Sequence, residues 1–338
     1  MKQRIEAFVM WDFSIGRTLV ITARTWPFIF LRVFIYTAVP AAFCLIIACG
    51  AGVGFGIGHI FILADAEAPA RCAGIGGLIG MVAATALMYG LREYVLYIVK
   101  AGHIAVLVHL VEGRPVPGGQ RQLTYARKVV VERFVEANVF FVLDQLIKGT
   151  LDSISAVTSG LAALIPLPGL TAAVGLLNHF IRASVTYVDE IILGYNIRMA
   201  DVSPFQNGLR GIVLYAQNSK IMVKNAIWLS VIVWVLTIIV FISLLAPAAA
   251  LIFWIPGPSS GYAFFFAIGL SLALKMALLE PFAIAALMGV YFKAIEGQAL
   301  DPAWEERLNE TSEAFRDLKD KALEGLADIA RANTPRAA

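Results

Sequence analysis

Four long apolar runs organise the chain: Ile29–Gly58, Ala73–Leu91, Ala226–Ile255 and Tyr262–Val290, each with at most two charges. A helix needs roughly 20 apolar residues to cross about 30 Å of hydrocarbon, and each run approaches or exceeds that length. Backbone groups left unpaired in lipid are costly, so the runs predict helices. The short alternating segments of a barrel are absent. The pattern therefore predicts an all-α polytopic membrane protein with four full transmembrane helices in two hairpins, over 27–99 and 222–297, after a segment 1–26.

The insert between the hairpins, 100–221, reads as amphipathic helices at the cytoplasmic face or the interface. Gly113–Gly119 is a turn-rich break, and Gln120–Thr150 sets Val129, Val130, Phe134, Phe141 and Leu143 against Arg127, Lys128, Arg133 and Glu136. Ile154–Ile181 is apolar but interrupted at Pro166–Leu167–Pro168–Gly169. Each half is too short to cross alone, which predicts a re-entrant or interfacial hairpin over 154–181. The alternative, one kinked span, reverses the side of everything that follows. His179–Met199 reads as another interfacial amphipathic helix, and Ser203–Pro204 caps a helix running into the third span.

The tail, 298–338, predicts one amphipathic helix. Asp301 is its N-cap and Pro302 its first residue, and Trp304, Leu308, Thr311, Phe315, Leu318, Ala322, Gly325 and Ile329 follow heptad spacing. Acidic residues outnumber basic ones in this segment, which disfavours adsorption to anionic lipid and suits docking on the basic insert or on a second copy.

Charge then orients the spans. Lys2, Arg4, Arg17 and Arg24 precede the first, thirteen Lys/Arg lie in 92–224, and Pro247–Gly261 carries no charge. Positive residues stay on the cytoplasmic side, so both termini are expected inside. Trp26–Pro27 marks where the chain meets the membrane, and Arg32 is close enough to that end to snorkel outward. With no small-residue cleavage site behind it, the first run is expected to be retained.

Only 15% of the 338 residues are charged and 59% are hydrophobic, against about 25% charged in soluble domains. Cys44, Cys49 and Cys72 lack metal-ligand spacing, and Cys44 and Cys49 read as buried packing residues. The four histidines form no metal-spaced group, and no nucleophile elbow, zincin motif or phosphate loop is present. An enzyme, a cofactor, a metal centre and nucleic-acid binding are therefore not expected. The alanine-rich composition points to a bacterial inner (plasma) membrane.

Lys275 and Glu280, near the middle of the last run and followed by Pro281, are the first candidates for function. An ionisable group at mid-membrane costs about 2.5–3.5 kcal/mol or more, so it faces a partner, water or a solute. Asp189 and Glu190, flanked by Tyr187 and Tyr195, are the second, because an acidic pair among aromatics suits a cation. Their plainer readings are an ion pair with a neighbouring helix and a charged interfacial face. Asp144, Lys148 and Asp152 sit four apart on one helix face, as solvated scaffolding does. Glycines at every second position through Gly50–Gly58 read as close helix packing against Gly76–Gly80, or else as a carbonyl-lined filter.

Three segments also carry a resemblance: Tyr187-Val-Asp-Glu-Ile-Ile-Leu-Gly-Tyr195, the helix Ser203-Pro-Phe-Gln-Asn-Gly-Leu-Arg-Gly-Ile-Val-Leu-Tyr-Ala-Gln-Asn218, and Glu280-Pro-Phe-Ala-Ile-Ala-Ala-Leu-Met-Gly-Val-Tyr-Phe-Lys-Ala-Ile-Glu296. In order and texture, from about Thr186 to Glu296, the chain resembles the carboxy-terminal part of the choline transporter-like family. The resemblance covers about a third of the chain and implies transport. The family's members are larger, with more spans, and no motif here is specific enough to carry binding residues over. The expected function is a transporter or channel for a small solute, cations included, working within membrane lipid. The alternative is a non-transporting scaffold that forms homo-oligomers, through the Asp301–Ala338 tail and the Gly50–Gly58/Gly76–Gly80 surfaces, or that shapes membrane.

Overall fold

The computed structural model describes residues 11–61, 65–116, 121–133, 142–151, 187–199, 203–252 and 259–333. The described residues form helices: α1 (Ile15–Arg24), α2 (Trp26–Ile60), α3 (Ala68–Val111), α4 (Gln122–Arg133), α5 (142–151), α6 (Val188–Arg198), α7 (Pro204–Gln217), α8 (Ser219–Ile252), α9 (Ser259–Leu274), a π turn (Lys275–Leu279), α10 (Glu280–Ala294), α11 (Pro302–Thr311) and α12 (Glu313–Asn333). Four stretches, Trp26–Ile60, Ala68–Tyr89, Ser219–Pro247 and Ala267–Ala294, are helical, long and apolar enough to cross a membrane. The predicted hairpin over 154–181 lies outside the described residues.

The chain divides into two compact units. Unit 1 comprises Met1–Trp26, Ala101–Val240 and Leu278–Ala338; unit 2 comprises Pro27–Lys100 and Phe241–Ala277. The division keeps the first expected hairpin whole in unit 2 and cuts across the second, assigning the first part of α8 and all of α10 to unit 1.

In unit 2 the glycines decide how α2 meets α3. A Cβ on Gly54 would lie 2.0 Å from the Cys72 carbonyl oxygen, and one on Gly50 would lie 2.4 Å from that of Gly76. Gly58 comes equally close to Ala68 and Pro69. Gly52 and Gly56, on the other side of the same helix, face open space. Backbones touch wherever a side chain is missing, and the segment is helical to Ile60, so the filter reading is discarded. Cys44 and Cys49 correct a second expectation: both are exposed, with Cys72 half-buried. In a helix pair this thin, one face reaches the partner, and Cys44 and Cys49 stand on the others.

Unit 1 is a packed helical body. Its core joins Ile104 and Leu107 of α3, Ile191 and Ile192 of α6, Ile212 and Val213 of α7, Phe282 and Tyr291 of α10, and Phe315 and Leu318 of α12. Ser203 caps α7 by accepting the Gln206 amide at 3.2 Å, and Pro204 opens it, as predicted. The tail differs from the single helix expected. Asp301 does accept the Ala303 amide at 2.9 Å and Pro302 begins α11, but the helix breaks at Ser312. The Ser312 hydroxyl then accepts the Phe315 amide and caps α12. Leu308, Phe315, Leu318 and Ala322 of the predicted seam are buried, and both tail helices pack on α7 of the same chain.

Exchanging Gly54 for Ala should push α2 and α3 apart and lower thermal stability in detergent by about 1–3 kcal/mol. Gly52→Ala should leave the melting temperature unchanged or slightly raised, and equal melting of the two variants would contradict the packing described.

Candidate functional site

Proline 281 sets the local geometry. It lacks an N–H, and its ring conflicts with the carbonyl four residues earlier, that of Ala277. The π turn at Lys275–Leu279 ends two residues before it and widens the helix, leaving carbonyls outside the regular ladder. One of these, on Met276, accepts a hydrogen bond from Arg32 Nη1 at 3.2 Å. Arg32 does not snorkel outward as expected; it is 2% exposed and turned inward to this carbonyl. Arg32 lies about 9 Å along α2 from Trp26. Lys275, next to Met276, therefore lies toward the Trp26 end of unit 2.

Lys275 belongs to unit 2, whereas Glu280, Asp189 and Glu190 belong to unit 1. Lys275 and Glu280 are both half-exposed. The helix bearing Asp189 and Glu190 presents no exposed charged face, because every residue from Val188 to Asn196 is buried. Asp189 is 9% exposed and stands 3.7 Å from Lys148 Nζ, which also pairs with Asp144 at 2.6 Å. Tyr195 packs edge-on against Tyr291 with 6.0 Å between ring centres. The acidic pair among aromatics is thus built into a core, with a lysine already in place. Asp152, the further member of the expected Asp144–Lys148 ladder, lies outside the described residues.

What unit 2 does hold is a groove of about 600 Å³, open to one side. Tyr36, Val39, Pro40 and Phe43 of α2, Thr85, Met88 and Tyr89 of α3, and Gly269, Leu272 and Ala273 of α9 line it, with Met276 of the π turn. The lining is apolar apart from a few hydroxyls, and that of Thr85 donates to its own helix at Met81 O, 2.8 Å. Pro40 stands inside α2, and the π turn interrupts the facing helix, so neither wall is a regular α-helix throughout. Two ionisable groups adjoin this lining and each is held by other groups of the chain: Arg32, bonded to the Met276 carbonyl, and Lys275, next to it in the chain. Both are cations. The groove was not legible in the sequence, because its residues come from three separate helices. Its one local signal was a charged pair beside a proline.

Outside the groove, His109 of α3 and Tyr125 of α4 share a short hydrogen bond through Nε2. The buried Nδ1 of His109 has no partner among the described residues. Burial pushes this imidazole below its ordinary value of 6.5, Arg114 adds to the shift and Glu112 opposes it. The unfolded chain then binds a proton where the folded chain does not. Stability contributed by the neutral ring is complete above about 6.5 and is lost as pH falls below it.

Arg32→Met should leave the Met276 carbonyl without its donor and lower stability by about 1.5–3 kcal/mol, the worth of a hydrogen bond to a charged group. A melting temperature within error of the unsubstituted protein would show that the bond contributes nothing. His109→Gln should reduce the fall in melting temperature between about pH 7 and pH 5, where histidine titrates; an unchanged slope would remove His109 as its source. Among the described residues no three His, Cys, Asp or Glu side chains gather to hold a metal ion. Comparison with family models, with curated proteins and with solved structures finds no match to this chain.

Proposed function

We propose that this chain is a membrane transporter, and that it carries an amphiphile whose apolar part occupies the groove and whose anionic end meets Arg32 and Lys275. The single observation behind this reading is an open apolar groove of about 600 Å³ with two cations beside it. Interrupted helices at membrane depth are where transporters coordinate their ligands, and π turns allow a helix to shift. The small cation expected from the sequence fits less well. Aromatic rings of Tyr36, Phe43 and Tyr89 could face an ammonium, but no carboxylate lines the groove and two cations adjoin it. The scaffold reading draws no support from the tail or the glycines, whose faces are occupied within the chain itself. The basic flanks support both termini in the cytoplasm, and the composition supports a bacterial inner membrane as the setting.

Gly269 points into the groove with open space ahead of it, so Gly269→Trp fills the groove without disturbing packing. In vesicles carrying fluorescently labelled phosphatidylglycerol, the protein should speed exchange of the label between leaflets. Gly269→Trp should abolish that gain, and Gly52→Trp, on an open face elsewhere, should retain it. No acceleration with the unsubstituted protein, or the same rate with both variants, would remove the proposal.

A further inference from the structure

Unit 1 holds a second cavity, of about 520 Å³ and opposite character. Its floor is the small-residue face of α10, Ala285, Ala286 and Gly289, and its walls are the start of α1, the end of α3 and the end of α6. Six ionisable side chains line it: Asp12, Arg17, Glu112, Arg198, Lys293 and Glu296.

Two of the three carboxylates are fully engaged. Asp12 accepts from Lys224 Nζ and from Asn225 Nδ2, each at 2.7 Å. Burial alone would raise its pKa, but those two hydrogen bonds outweigh it and hold the carboxyl below the ordinary value. Glu112 is held by Arg198 Nε at 2.8 Å and also by Arg114. Arg198 is fixed further by lying 4.6 Å over the Phe292 ring.

The other two cations are less engaged, with the charge of Lys293 also acting on Asp12. Arg17 is anchored by one bond, from Nη2 to the Val111 carbonyl at 3.0 Å, which aims the guanidinium while leaving its other N–H groups. Lys293 makes no ion pair or hydrogen bond among the described residues. The first turn of α1, with Ser14 as its N-cap, borders the same space and carries no acidic residue to neutralise its end. Three cations (Arg17, Arg198, Lys293) and three carboxylates (Asp12, Glu112, Glu296) line the cavity, and Lys224 and Arg114, outside the lining, add positive charge behind Asp12 and Glu112.

We infer that this cavity binds a phosphomonoester, its dianionic phosphate between Arg17 and Lys293 and its organic part over the small-residue floor. A forked guanidinium, a point-charge ammonium and a helix start are complementary donors for phosphate oxygens. A tetrahedral phosphate offers oxygens to Arg17, Lys293 and the α1 start together, where a planar carboxylate has two oxygens to share among them. The cavity is also far larger than inorganic phosphate, so the remainder of a ligand has room, with Glu296 placed to accept from a hydroxyl. The same chemistry comes from a soluble phosphorylated metabolite or from the headgroup of phosphatidic acid.

The full chain, purified in an uncharged maltoside detergent, is titrated separately with glycerol 3-phosphate and with phosphatidic acid in mixed micelles, reading the melting temperature. A saturable rise with glycerol 3-phosphate supports the proposal with a soluble ligand. A rise with phosphatidic acid alone supports it with a lipid headgroup. In either case Arg17→Gln and Lys293→Gln should each weaken binding by about tenfold or more, the scale of one charge-assisted contact. Both side chains are exposed, so the variants should melt normally without ligand. Lys321→Gln, a change on α12 that does not line the cavity, should bind as the unsubstituted protein does. No saturable rise with either probe, or equal weakening by Lys321→Gln, overturns the assignment. Gly269→Trp should bind both probes normally, so failure of the groove reading and failure of this one are separable.

Discussion

Every apolar helix face has to be covered, and the structure depends on what covers each one. In hydrocarbon the backbone closes its own hydrogen bonds and side chains can face lipid without penalty. Only 6% of the sampled stretch in Trp26–Ile60 is buried within the protein, against 61% of that in Ala267–Ala294. These helices are similarly apolar, yet one presents its surface outward and the other is enclosed over Pro281–Phe292. The same sequence character therefore serves two ends, a lipid-facing surface in unit 2 and a protein core in unit 1.

Where hydrophobicity gives no direction, contact is set by what is missing from the side chain. Between two lipid-facing helices there is no gain from hiding apolar area, since lipid tails are as apolar as leucine. Close approach has to come from dispersion, and Gly50, Gly54 and Gly58 permit it by bringing backbone against backbone. A different absence, the N–H of Pro281, organises the other side of unit 2. The π turn it accompanies exposes the Met276 carbonyl, and that carbonyl gives Arg32 a partner. A buried guanidinium is costly in a membrane protein, and a carbonyl released from its ladder offsets part of that cost.

Local signals were legible and non-local ones were not. The spans, the Ser203–Pro204 and Asp301–Pro302 caps, the glycine packing surface and the Lys148–Asp144 pair all depend on residues within a few positions of one another. The break at Ser312 depends equally on local chemistry, but a regular heptad running through it concealed the stop. Val188–Arg198 went the other way. Its charges read as an interfacial face, because the sequence does not show that Lys148 and Tyr291 come from distant helices to meet Asp189 and Tyr195. Arg32 was read as snorkelling for the same reason: its partner lies 244 positions away. The groove and the charged cavity each assemble from three or more helices, so no spacing rule could have drawn either one.

If the proposed amphiphile occupies the apolar groove, the driving force for its entry limits what the groove can select. Moving a hydrocarbon tail from the bilayer into an apolar groove exchanges one apolar medium for another, so tail burial supplies little net free energy. Discrimination must come from the polar end, where a charge leaves water or a headgroup layer and meets fixed cations in a medium of lower dielectric. Arg32 is already immobilised by the Met276 carbonyl, so it loses little rotamer freedom on meeting an anion. Lys275 is half-exposed and brings a second positive charge to the same end. A rigid cation fixes where the head sits, the second adds to its attraction, and the apolar walls restrict the tail. Specificity in such a site resides in charge and length, and the groove's apolar area sets neither.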